Sequence, residues 1–222
     1  MVPVTTAVAV GVVVGFGVTP SVGDAPHRVA ALAAVHGSGQ LVTVLPVRVA
    51  VAVLAVEDHR FYHHPGIDPV ALLRVGRGVL AGRDEGGATI EAQLAKLLYT
   101  GGRSDPVAQV QQVFLALKLD MAYTKSSILL MYLNTVYFGH GLYGLASASG
   151  GYFDAAPEGL DWAQAALLAG LLQAPDAFDP RNHPQAAVAR RRQALDRLLA
   201  TGTISAAQWA KADRQPLELT PA

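Results

Sequence analysis

The chain has 222 residues, with 17 Lys+Arg against 17 Asp+Glu, so its formal net charge is zero and no nucleic-acid footprint is expected. Hydrophobic residues make up 51% and charged residues 15%, at a mean hydropathy of +0.31, which is more apolar than an ordinary soluble domain and favours membrane association. The absence of cysteine excludes disulfides and cysteine-based nucleophiles or metal sites, while the length suffices for one domain with its own core.

Taken in chain order, residues 1–22 carry no charged side chain and are dominated by Val, Ala and Gly. An N-terminal apolar membrane segment is expected here, since about 20 apolar residues span a bilayer core. Pro3, Pro20 and the lack of a preceding Lys or Arg leave a cleaved signal peptide and a merely apolar terminus as alternatives. Residues 23–46 are expected to be a juxtamembrane connector, with Gly23-Asp24-Ala25-Pro26 as a breaker and a turn at His36-Gly37-Ser38-Gly39. The remaining 47–222 form the expected catalytic-type domain. It opens on the apolar run 47–56, and helical spacing then predicts helices over 69–80, 89–99, 106–122, 125–136, 161–173, 184–200 and 205–212. Ser126 or Ser127 is the expected cap of the fourth of these, and Asp161 opens the fifth. Neither a long alternating strand pattern nor an internal repeat interrupts them, so the expected fold class is all-α.

The run Glu57-Asp58-His59-Arg60-Phe61-Tyr62-His63-His64-Pro65-Gly66 follows the apolar 47–56 segment directly. An acid at the end of an apolar element sits where desolvation raises its pKa, which suits a general base; the plain alternative is a helix cap or a solvated strand end. The pattern Glu-Asp-x-x-Phe-x-x-His-x-Gly resembles the first signature of the peptidoglycan glycosyltransferases, the family 51 glycosyltransferases. Gly86-Gly87-Ala88-Thr89-Ile90-Glu91-Ala92-Gln93-Leu94-Ala95-Lys96 is similar to the family's Gly-Gly-Ser-Thr-Ile-Thr-Gln-Gln-Leu-Ala-Lys. Tyr123-Thr124-Lys125 through Tyr132-Leu133-Asn134, with Tyr137-Phe138-Gly139, resembles a third block, and 165–175 a fourth.

The resemblance covers roughly residues 45–212 and implies a lysozyme-like helical domain that polymerises lipid II into glycan strands, with inversion and release of undecaprenyl pyrophosphate. It places the domain on the outer face of the cytoplasmic membrane, with lipid II, the growing strand and a cell-wall synthesis complex as partners. At this length no transpeptidase domain fits, so a monofunctional polymerase or a truncated relative is expected. Glu57 takes the place of the family's catalytic base. Asp58 is expected to orient the neighbouring loop, Phe61 to pack beneath it, and His64 to hydrogen-bond to the backbone of this segment. Lys96 and Arg74 match pyrophosphate-contacting cations, and Thr89 and Gln93 share the Lys96 side of one helix.

The chain departs from the family pattern at its third signature, Arg-Lys-x-x-Glu, where Ala108-Gln109-Val110-Gln111-Gln112 stands. Both cations and the second acid are missing, Gln112 replacing the acid. Arg103 lies beside Ser104, which occupies the place of another phosphate-binding arginine, and is expected to substitute for it. Glu91 would bring negative charge to a pyrophosphate site unless it faces away. No cofactor is required by the sequence; a divalent cation would aid pyrophosphate departure, but no carboxylate–histidine cluster at ligand spacing demands one. Two further readings stand beside an active polymerase: a catalytically impaired relative that binds lipid II or scaffolds cell-wall synthesis, and a lysozyme-like glycan-cleaving enzyme.

Overall fold

The computed structural model describes residues 14–38, 40–69 and 88–221; the expected helix over 69–80, with Arg74, and the pair Gly86-Gly87 lie outside the described residues. Among the described residues the fold is all-α. The helices are α1 (Ala25–Val35), α2 (Val47–Glu57), α3 (Ile90–Tyr99), α4 (Pro106–Ala122), α5 (Lys125–Thr135), α6 (Leu145–Phe153), α7 (Trp162–Leu171), α8 (Pro184–Ala200) and α9 (Ala206–Arg214). The β-structure among them is one isolated bridge between Tyr137 and Tyr143.

Local chemistry sets the helix starts. Thr89, Asp105, Asp161 and Ser205 each accept a backbone N–H of the first turn, with reciprocal capping boxes at Asp161–Gln164 and Ser205–Gln208. The cap of α5 is Thr124 rather than Ser126 or Ser127; Ser127 supplies the N–H that Thr124 accepts. Within the expected 23–46 connector, residues 25–35 are helical, so the Gly23-Asp24-Ala25-Pro26 breaker leads directly into a helix. Pro26 sits in the first turn of α1, where a missing N–H costs nothing, and Ala25, Val29 and Ala33 are buried. Helix α6 was not anticipated, because its sequence LASASGGYF is poor in helix formers. Burial of Leu145, Ala148, Ser149 and Tyr152 holds it instead, and Gly151 leaves room for the Leu142 side chain, which a Cβ would meet at 2.7 Å.

Two helix groups share one core. In the first, α7 is buried nearly all round and packs against α2 and α8, with α9 on α8. In the second, α3 packs against α4 and α5, and α1 covers α5. The C-terminal end of α2 therefore meets the flank of α3, and the candidate site lies at that junction.

No helix among the described residues is long and apolar enough to cross a membrane, and most of the expected 1–22 anchor lies outside them. Its last residues dock on the domain: the Phe16 ring meets Phe114 edge-on at 5.6 Å, and Lys118 Nζ donates to the Thr19 and Pro20 carbonyls at 2.6 and 3.1 Å.

The link between α5 and the 40–46 segment is specific. The buried Asn134 side chain both accepts from the Val42 N–H and donates to the Val42 carbonyl, each at 2.9 Å. Asn134→Ala leaves two backbone groups unpaired and should cost about 2–4 kcal/mol. A urea-unfolding midpoint unchanged by this substitution would contradict the assignment.

Candidate active site

Glu57 is the last residue of α2, at the negative end of that helix, a position that disfavours a carboxylate. Burial pushes its pKa above the ordinary carboxylate range; the Gln93 hydrogen bond and the Arg190 and Arg197 guanidinium groups of α8 oppose this, and the neighbouring Asp58 adds to it. Gln93 Nε2 donates to Glu57 Oε2 at 2.9 Å, and the Gln93 oxygen accepts from the Tyr132 hydroxyl at 2.7 Å. Glu57 Oε1 makes no hydrogen bond among the described residues and is not closed off from solvent. One oxygen is thus held and the other is open, the arrangement a general base needs.

Behind Glu57 lies a closed platform. Asp58 accepts from the Ile90 N–H at 3.1 Å, placing an anion at the N-terminus of α3, and both its oxygens contact His64 Nε2 at 3.0–3.1 Å. His64 therefore bonds a carboxylate and not the backbone of its own segment; its carbonyl accepts from Lys125 Nζ at 2.7 Å. Phe61 is buried, with the Lys125 ammonium 4.7 Å from its ring centre. Thr89 donates to the Gly66 carbonyl at 2.7 Å. Gly66 has φ +78°, and a Cβ there would lie 2.6 Å from the Ala116 oxygen, so the motif's glycine is required by both conformation and space. Asp58, Phe61, His64 and Thr89 are buried, and Asp58, His64 and Thr89 hydrogen-bond to groups of the protein itself. Their contacts tie the 58–66 segment to the start of α3.

Glu91 faces away from the site. It is 0% exposed, its Oε1 pairs with Lys125 Nζ at 2.5 Å, and burial raises its pKa against that pairing. Lys125 also pairs with Asp120 at 2.8 Å, which explains a cation at the first position of α5, where the helix dipole alone opposes it. Asp58, His64 and Glu91 bring their ligand atoms within 4.8 Å of one another, a carboxylate–histidine cluster that sequence spacing did not show. His64 Nδ1 and Glu91 Oε2 lack partners, so the donor set suits a small divalent ion chemically, but the Lys125 ammonium already occupies the Glu91 side. The cluster is part of the platform behind Glu57, linked through Glu91 to Lys125.

Lys96 lies in the last turn of α3, half-buried, with no side-chain partner among the described residues. Arg103 is exposed and paired with Asp105 at 2.8 Å. Gln112 is buried, and its Nε2 donates to Thr100 Oγ1 and the Arg103 carbonyl, both at 2.8 Å. It ties the turn after α3 to α4 and has no free donor to offer a substrate. Ala108 is buried, and Gln109 donates to the Ser104 carbonyl at 2.8 Å, so neither position supplies a cation. Tyr132, Lys125, Arg190 and Arg197 are contributors that sequence reasoning missed. Arg190 and Arg197 lie seven residues apart on one face of α8, which was the available signal.

The family model described as Transglycosylase matches residues 34–199. Penicillin-binding protein 1A of Aquifex aeolicus is 39% identical over 175 residues, covering 78% of this chain and 24% of that protein. Penicillin-binding protein 1A of Streptococcus pneumoniae is 37% identical over 177 residues, covering 78% of this chain and 25% of that protein. A putative transglycosylase of Cupriavidus necator is 36% identical over 176 residues, covering 79% of this chain and 76% of the relative. The chain spans about a quarter of the length of the penicillin-binding proteins it matches.

The raised pKa of Glu57 has a thermodynamic sign. Below the unfolded-state value of about 4.3 both states are protonated and the residue costs nothing; stability falls as pH rises through the higher folded-state value. Glu57→Gln should therefore have a higher Tm than the parent at pH 7.5, with the difference closing below about pH 4. Equal Tm values at pH 7.5 would show that Glu57 is not held against ionisation.

Proposed function

We propose that this chain, which belongs to the transglycosylase family, joins lipid-linked disaccharides into peptidoglycan strands with Glu57 as general base. The acceptor's 4-hydroxyl attacks the anomeric carbon of the donor as the C–O bond to undecaprenyl pyrophosphate breaks, with inversion. The hydroxyl proton passes to Glu57. The observation that carries this reading is the Glu57 carboxylate itself, buried enough to be basic, fixed through Oε2 by Gln93 and open at Oε1. A lysozyme-like arrangement of the two helix groups, an N-terminal anchor over 1–22 and a domain on the outer membrane face, where a cell-wall synthesis complex would assemble, belong to the same proposal.

The donor side is where this chain departs from its family. Lys96 is the described cation left free to meet pyrophosphate, and Arg74 of the sequence motif would join it. Gln112 is neutral and spent on the turn after α3. Charge developing on the leaving group therefore has less support than the family pattern supplies, and slow turnover follows. This same commitment of Gln112 favours a second reading, a relative that binds lipid II or scaffolds strand synthesis with little or no catalysis.

The test of the first reading uses detergent-solubilised protein and labelled lipid II, with polymer separated from monomer. Glu57→Gln should lower polymer formation by at least about a hundredfold while lipid II binding stays near that of the parent. Undiminished polymer formation by this variant removes Glu57 from the role of base. Polymer-free wild-type protein that retains lipid II binding selects the second reading.

Gln112→Glu, the substitution that restores the family's acid, should not restore rate. A carboxylate cannot donate to the Arg103 carbonyl, so the variant places like partial charges together in a buried site. The expected result is a lower Tm with no gain in polymerisation; a faster enzyme of unchanged Tm would contradict it.

A further inference from the structure

Glu57 is the group whose protonation the proposed reaction uses, yet nothing in its own helix fixes which way its neighbour Gln93 points. A primary amide can present either its NH2 or its oxygen. An oxygen turned to Glu57 Oε2 would repel the carboxylate, whereas the NH2 supports it.

The selector lies one helix further back. Tyr132, on α5, is 1% exposed, and among the described residues its hydroxyl has one hydrogen-bond partner, the Gln93 oxygen at 2.7 Å. Burial holds the Tyr132 phenol well above its ordinary range, so it remains a donor throughout the range in which a carboxylate titrates. A donor fixed on the amide oxygen leaves the amide nitrogen for Glu57. The other charged groups facing Glu57 are anchored elsewhere. Arg190 donates to the Gly170 carbonyl at 3.1 Å and to Gln193 at 2.7 Å, and Arg197 donates to the Val56 carbonyl at 3.0 Å. The remaining neighbour, Asp58, is held by His64 and the Ile90 N–H. None of these groups touches the Gln93 amide; besides Glu57 and Tyr132 it meets the Ala88 carbonyl, a long acceptor contact 3.4 Å from Nε2 that favours the same orientation.

We propose that Tyr132 is a positioning residue for the base: through Gln93 it fixes a donor on Glu57 Oε2 and leaves Oε1 as the oxygen that takes the proton. This rests on the reading of Glu57 as general base for its catalytic meaning, but the relay itself is testable without turnover.

The chain has five glutamates, so carbon-13 labelling of glutamate side chains in the full-length protein gives a small set of carboxyl signals, with Glu57 assigned from Glu57→Gln. Loss of a hydrogen bond to a charged group should raise the Glu57 midpoint by about one pH unit in Gln93→Ala. Tyr132→Phe should move it in the same direction by a smaller amount. Because Tyr132 acts through Gln93, the double variant should titrate as Gln93→Ala alone. A Tyr132→Phe midpoint equal to the parent's, or a further shift on top of Gln93→Ala, overturns the relay.

The unmutated protein provides a check that does not depend on the variants folding. The Gln93 side-chain NH2 signals should titrate with the Glu57 midpoint, and NH2 signals blind to that ionisation overturn the assigned orientation. A relay that passes these tests in a protein whose polymerisation ignores the shifted midpoint leaves the relay standing and removes Glu57 from the reaction.

Discussion

Everything around the site answers to one constraint, a carboxylate kept partly buried at the wrong end of a helix. The C-terminal end of α2 and the loss of solvent both disfavour the ionised form of Glu57. Its ionised form is tolerated because one neutral amide and two guanidinium groups share its charge, none of them in direct ion-pair contact among the described residues. A direct Arg pair would drive the pKa down. The two helix groups meet where they do so that α3 can present Gln93 to α2 while α8 brings Arg190 and Arg197 from the other side.

The platform behind Glu57 is built from charges that are matched and hidden. Asp58, His64, Glu91, Lys125 and Asp120 form a chain of contacts from the N-terminus of α3 to the N-terminus of α5. Such networks contribute less to stability than their Coulomb terms suggest, because each ion gives up its hydration. What these contacts fix is register: the 58–66 segment is tied to α3 by Asp58–Ile90 and Thr89–Gly66, and to α5 by Lys125. Glu91, a departure from the family pattern, is compatible with the site for this reason. It is sealed into the platform and spends its charge on Lys125.

Much of this was legible from residues close in sequence. Helical spacing and local caps located α3, α4, α5, α7, α8 and α9 to within a few residues, and the acid at the end of an apolar run located Glu57. What failed to show had a common cause. Helix α6 forms against its own propensity because tertiary burial overrides it. The Asp58–His64–Glu91 cluster joins residues 33 positions apart, beyond any local ligand motif. Gln112 could be read as a lost acid, but its donation to the Arg103 carbonyl is visible only in three dimensions. The Tyr132 hydroxyl sits inside an apolar helix, where a tyrosine looks like core until its partner is known.

The proposed basicity of Glu57 depends on its being half-hidden and held. The most direct measurement is the rate of polymer formation from labelled lipid II in detergent as a function of pH. The rate should rise with pH along a single ionisation whose midpoint lies above the ordinary carboxylate range and coincides with the directly measured Glu57 titration. A rate that is flat across that ionisation, or that follows a group unaffected by Gln93→Ala, would contradict it.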